Sequence, residues 1–311
     1  MQNNRAPIFS SLPLVRVLTL LCLLLPLQKA RAGHELLLVT GLSGQAAFGA
    51  EMEATAKVWT EAAKRGGHSL QQIAPGAGPQ LPRLQAALAA VSADATDPFW
   101  LVLLGHGSAQ GKSPKFNLEG PDLSAEELAR SLARLRRPVI VVAGFSCSGA
   151  YLKPLAAPGR IVLAATRTGA EENWTRFPRF FAAALAGLDA DANGDMQVSV
   201  FEAMQHATQT AEASYKDQGR LTTEHAALDD LGDGKAGGPG LGMKAAQWHL
   251  VESAAEARLA PAQRARREAL ELELNQLRQG KDKVPSAEYA VMLEQLLLKL
   301  ARVYAGQSES E

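Results

Sequence analysis

Two side chains able to do covalent chemistry stand among small residues. They are His106, in Gly105-His106-Gly107-Ser108, and Cys147, in Gly144-Phe145-Ser146-Cys147-Ser148-Gly149. A thiolate is a nucleophile, and an imidazole beside it takes the proton and later returns it. Glycines let the backbone approach a substrate carbonyl. The N–H groups of Gly107 and Cys147 are therefore candidates to face a developing oxyanion. A cysteine at a strand-to-helix turn also sits near a helix N-terminus, which favours the thiolate. Nucleophile, base and oxyanion donors together make a cysteine-hydrolase set, in which Cys147 is expected to be reachable and acidic. Taken singly, Cys147 reads better as a small core residue and His106 as part of a turn. Their placement at matching strand ends favours function.

A second stretch suits a hard cation. In Asp191-Ala-Asn193-Gly-Asp195-Met-Gln197-Val-Ser199-Val-Phe-Glu202, oxygen-bearing side chains fall at loop positions 1, 3, 5, 9 and 12. Gln197 offers its backbone carbonyl at position 7. This is the EF-hand pattern, and it implies calcium in a structural role, with no cofactor needed for the chemistry. Met196 stands where the pattern has glycine, which strains the turn. The plainer alternative is an Asp/Asn/Gly turn capping the next helix.

These residues need strands and helices to hold them. Apolar runs at 35–40, 99–104, 138–143 and 160–165 read as buried strands, with a weaker one at 68–73. Helical patterns lie between them, over about 50–65, 84–91, from Ser124, and over about 175–187 and 199–213. Ser124 and Glu127 have the spacing of a capping box. The alternation implies an α/β fold with a mostly parallel sheet and helices on both faces. Ligands and catalytic groups of such sheets gather at the carboxyl ends of the strands, where His106 and Cys147 both fall. A glycine-rich linker at 231–242 leads to a C-terminal helical hairpin. Its stripes are Leu270, Leu274 and Leu277 on one helix, and Met292, Leu293, Leu296, Leu297, Leu300 and Val303 on the other. The hairpin packs on its own domain or offers a face to a protein partner. The domains expected are a leader at 1–32, an α/β domain at 33–240 with the acidic loop at 191–202, and a helical segment at 241–311.

Composition narrows the classes. Lys+Arg and Asp+Glu both number 32, and only 5% of residues are aromatic. Neither a basic excess nor stacking rings point to nucleic acid. Residues 1–32 carry Arg5, Arg16, Lys29 and Arg31, no acid, an apolar run from Val17 to Leu27, and Ala30-Arg31-Ala32. This reads as a secretory signal peptide, too short to span a bilayer. The expected location is secreted or periplasmic, without stable membrane insertion once the leader is gone. Cys147 is then the one cysteine of the mature chain.

The His-Gly and Ser-Cys-Ser-Gly motifs, each after a strand, resemble those of the caspase-like clan of cysteine peptidases, and in particular its bacterial legumain-like members. The stretches Gly159–Thr166 and Leu221–Asp230 are also similar to that group. The resemblance covers about residues 35–235. It implies a His106–Cys147 dyad and a peptidase or transamidase acting on polypeptide. One spacing departs from the pattern. Legumains and metacaspases place one residue between Cys and Ser-Gly, which puts Ser146 in the nucleophile position here. The caspase spacing Cys-x-Gly fits Cys147-Ser148-Gly149. A catalytically silent module binding calcium and a protein partner is the competing class. Gly144-Phe-Ser146-Cys-Ser also comes close to the serine elbow of α/β-hydrolases but lacks its second glycine.

Overall fold

In the computed structural model, residues 35–109, 114–237 and 240–306 are described. The leader expected at 1–32 lies outside them. Six strands form the central sheet: β1 (Glu35–Thr40), β2 (Ser69–Ile73), β3 (Phe99–Leu104), β7 (Val139–Gly144), β8 (Arg160–Ala164) and β9 (Ala227–Asp229). Their order is β2-β1-β3-β7-β8-β9, all parallel except β9 at the edge. Three two-residue strands, β4 (Gly107–Ser108), β5 (Lys115–Phe116) and β6 (Leu123–Ser124), make a small antiparallel sheet after β3. The helices are α1 (Ala46–Arg65), α2 (Gln80–Ala90), α3 (Ala125–Leu132), α4 (Leu152–Leu155), α5 (Phe177–Ala186), α6 (Val200–Asp217), α7 (Pro261–Gln279) and α8 (Ser286–Tyr304).

Strands β3 and β7 are buried along their whole length, because both sheet faces are covered. Successive side chains go to opposite faces. Leu101, Leu103, Val139 and Val141 meet Leu84 and Leu88 of α2 and Leu128 and Leu132 of α3. Trp100, Val102, Ile140 and Val142 meet Trp59 of α1, Phe181 of α5 and Ala203 and Ala207 of α6. The expected α/β architecture is present. Ser124 and Glu127 close the expected capping box on α3, and Ser199 with Glu202 does the same on α6.

The described residues form one compact unit. The C-terminal hairpin has its own small core, in which Leu270, Leu274, Leu277, Leu296 and Val303 are buried. Met292 and Leu297, expected on that face, are 40% and 46% exposed. A buried ionic knot ties the hairpin to the segment before it. Arg267 of α7 bonds Glu256 at 3.0 Å and Glu271 at 2.8 Å, and Arg264 bonds Glu252 at 3.4 Å. Gln197 Oε1 accepts the Ser253 N–H at 3.1 Å, so this segment is also fastened to the acidic loop. Among the described residues no helix is long and apolar enough to cross a membrane.

Tyr151 links the small sheet to the turn after β7. Its fully buried hydroxyl accepts the Phe116 N–H at 3.0 Å and donates to the Leu123 carbonyl at 2.5 Å. Tyr151→Phe leaves both backbone groups unpaired. Removing a partner from buried polar groups costs about 1–3 kcal/mol. Chemical denaturation should show a loss in that range, with an unchanged dependence on denaturant concentration.

Candidate active site

β3 and β7 pair in register, with Leu104 opposite Gly144. His106 and Ser146 each lie two residues past those paired ends, so the register brings these two together. Ser146 Oγ is 2.8 Å from His106 Nδ1. The same hydroxyl lies 3.1 Å from the Gly107 carbonyl and accepts the Gly107 N–H at 3.0 Å. A hydroxyl has one proton, so Nδ1 and the Gly107 carbonyl compete for it. When Nδ1 receives it, the neutral imidazole carries its own proton on Nε2.

The close approach depends on Gly107. A Cβ there would lie 2.0 Å from the Ser146 carbonyl oxygen. His106 is held through its backbone, donating to Leu42 at 3.1 Å and accepting from Asn117 at 3.0 Å. Burial lowers the pKa of its half-buried ring, and the nearby Glu172 charge works weakly against this. The imidazole is therefore neutral at pH 7 and able to accept a proton.

Cys147 takes a different course from the one expected. Its φ is +64°, a left-handed conformation that turns the chain. Its N–H donates to the Glu171 carbonyl at 2.8 Å, and the residue is fully buried. Burial, joined by the charges of Glu172 and Glu171, pushes the thiol pKa up to about 11. The reachable, acidic thiolate expected from the sequence is thus corrected. The helical turn after it, Ser148–Tyr151, runs directly into α4, and burial nonetheless disfavours the thiolate. The two oxyanion donors inferred from sequence are also engaged, Gly107 N–H by Ser146 Oγ and Cys147 N–H by Glu171. Ser146 was legible only through the spacing to Ser148-Gly149 and the incomplete serine elbow.

The other motif stretches brace this edge. Thr166 Oγ1 accepts the Gly149 N–H at 2.9 Å, and Ser148 Oγ accepts the Thr166 N–H at 3.2 Å. Buried Glu224 accepts the Arg176 and Phe177 N–H groups at the start of α5. The Glu171 carboxylate accepts the His225 N–H at 2.8 Å and faces its ring at 3.5 Å. Asp229 and Asp230 are buried. Asp229 accepts N–H groups from Leu231, Gly232 and Gly234, and Asp230 from Gly242, Lys244 and Ala245.

In the acidic loop, Asp191 accepts the N–H groups of Gly194, Asp195 and Met196. Asn193 Oδ1 accepts the Asp195 N–H, and Asp195 that of Gln197. Glu202 is taken up by Ser199 and the Ala192 N–H. Met196 has φ +67°, in the left-handed region where the pattern has glycine. Among the described residues no three His, Cys, Asp or Glu side chains are grouped to hold a metal ion. The oxygen donors fit a hard cation in type, and in this structure they accept N–H groups of the turn.

No family model matches the chain, and no curated protein matches it. Solved structures do. The Drosophila initiator caspase Dronc is similar at 13% identity and a TM-score of 0.46, over 66% of this chain and 83% of that one. Caspase-1 from Spodoptera frugiperda is similar at 12% identity and a TM-score of 0.42, over 64% and 86%. A protein from Geobacter sulfurreducens is similar at 15% identity and a TM-score of 0.39, over 57% and 88%.

The thiol offers a direct check. With a pKa near 11, about one Cys147 in a thousand is thiolate at pH 8. Iodoacetamide at pH 8 should modify the native protein at least about 100-fold more slowly than the protein in denaturant. Equal rates would mean that Cys147 is open and ionised.

Proposed function

We propose that the protein is a hydrolase of peptidase type in which Ser146 supplies the nucleophile and His106 the base. The 2.8 Å contact between Ser146 Oγ and His106 Nδ1 at the carboxyl edge of the sheet carries the reading. This moves the nucleophile from Cys147, whose thiol resists ionisation. In the step proposed, Ser146 Oγ bonds to the substrate carbonyl carbon as His106 Nδ1 takes the hydroxyl proton. The imidazolium then protonates the leaving amine as its bond to carbon breaks. Water, deprotonated by His106, hydrolyses the acyl ester and restores the serine. The Gly107 N–H, freed from Ser146 Oγ as that oxygen attacks, becomes available to the oxyanion. Polypeptide is the substrate class expected from the motifs, and a secreted or periplasmic location goes with residues 1–32.

Calcium at 191–202 forms part of the proposal as a structural ligand. Its support is the oxygen-bearing side chains at positions 1, 3, 5, 9 and 12 and the left-handed Met196. Millimolar calcium would then raise the melting temperature without altering turnover.

A silent module is the second reading. Ser146 is only 1% exposed, and the Gly107 and Cys147 N–H groups are both occupied. A fluorophosphonate, which labels activated serines, separates the two. Labelling is expected in wild type and Cys147→Ala, absent in Ser146→Ala, and about 10²–10⁴-fold slower in His106→Ala. The rate should rise with pH through the His106 pKa, which lies below the usual 6.5, since only the neutral ring accepts the proton. No labelling of a folded wild type supports the silent module. Labelling lost with Cys147 instead returns the nucleophile to the thiol.

A further inference from the structure

The acidic loop gathers around one amide the groups that let it react with its own backbone. Asn193 is the only asparagine of the sequence that is followed by glycine. Both residues are exposed, and Gly194, with φ +78°, has no Cβ to shield its nitrogen. The chain itself holds an asparagine side chain within a few bonds of the next backbone nitrogen, and joining the two closes a five-membered cyclic imide. Reactants held in one chain avoid most of the entropic cost of meeting.

Three contacts prepare that closure. Asp191 Oδ1 accepts the Gly194 N–H at 2.8 Å, so a carboxylate stands at the proton that must leave the attacking nitrogen. Asp191 also accepts the Asp195 and Met196 N–H groups, which fixes it under the turn. Asn193 Oδ1 accepts the Asp195 N–H at 2.8 Å. That donor polarises the amide carbonyl and faces the oxyanion formed on attack. Asn193 Nδ2 donates to Asp195 Oδ2 at 3.2 Å, and the two contacts together orient the amide, oxygen to the N–H and nitrogen to the carboxylate.

We infer that Asn193-Gly194 is a self-modification site, at which the loop converts an amide to a carboxylate with water as the only co-reactant. Gly194 N bonds to Asn193 Cγ as Asp191 takes the proton from that nitrogen. The Cγ–Nδ2 bond then breaks, and the amide nitrogen leaves as ammonia with the proton that Asp191 gives up. Water adds to either carbonyl of the imide and opens the ring, leaving aspartate or isoaspartate at position 193. Both products add a negative charge to the loop. Isoaspartate also lengthens the backbone between Asp191 and Met196, which loosens the hydrogen bond that joins them. The site stands apart from the hydrolase and calcium readings and depends on neither.

The test incubates the full chain near neutral pH with EDTA, so that no cation occupies Asp191. Peptide mass spectrometry follows the amide-to-acid change at Asn193, and hydroxylamine, which cleaves cyclic imides, reports the intermediate. Folded wild type is expected to convert at least as fast as the same chain in denaturant. Asp191→Asn keeps the acceptor and removes the base, and the folded variant should convert about tenfold more slowly or less. Slower conversion in the folded wild type than in denaturant, or the same rate in folded Asp191→Asn as in wild type, overturns the inference. If Asp191→Asn does not fold, the comparison of folded with denatured wild type decides by itself.

Discussion

The in-register pairing of β3 with β7 is the constraint on which the site depends. Leu104 and Gly144 are the last partners in that ladder. Residues at equal distance beyond them leave the sheet together, so His106 meets Ser146. A shift of one residue would set another side chain against the imidazole and send the apolar residues of β7 to the wrong faces. Trp100 and Val142 on one face, and Leu101 and Val141 on the other, are each committed to a separate core, and this fixes the register. The site is thus a consequence of packing on both sides of the sheet.

Beyond the ladder, backbone hydrogen bonds replace strand pairing. His106 is pinned between Leu42 and Asn117, and the turn after Cys147 is locked to Thr166. Tyr151 ties that turn to the small sheet. Carboxylates do much of the remaining work by accepting N–H groups. Glu224 caps the start of α5, and Asp229 and Asp230 organise the stretch leading to residue 245. These contacts give a structural reason for acids in the segment 221–230.

Much of the fold was legible because its signals are local. The strands at 35–40 and 99–104 fall where the apolar runs lie, and the Ser124–Glu127 capping box closes as its spacing implies. The pairing of Ser146 with His106 was not legible to the same degree. The runs 99–104 and 139–144 are apolar at nearly every position, so no alternation reveals which residues are opposite. Reading the second strand as 138–143 shifts its end by one residue, enough to change the partner of His106. The state of Cys147 was hidden for another reason. Sequence shows a cysteine after a strand, but its burial, its left-handed turn and the bond from its N–H to the Glu171 carbonyl appear only in three dimensions. In the acidic loop the residue types were plain, while their capture by backbone N–H groups depends on the turn that Met196 adopts.

His106 Nδ1 faces the Ser146 hydroxyl at 2.8 Å. Nitrogen-15 NMR of the histidine side chains measures this directly, because Nδ1 reports the donor it accepts from. Ser146→Ala should move the His106 Nδ1 resonance and change its pKa, while Cys147→Ala should leave both as in wild type. A His106 resonance that responds to Cys147→Ala and ignores Ser146→Ala would contradict it.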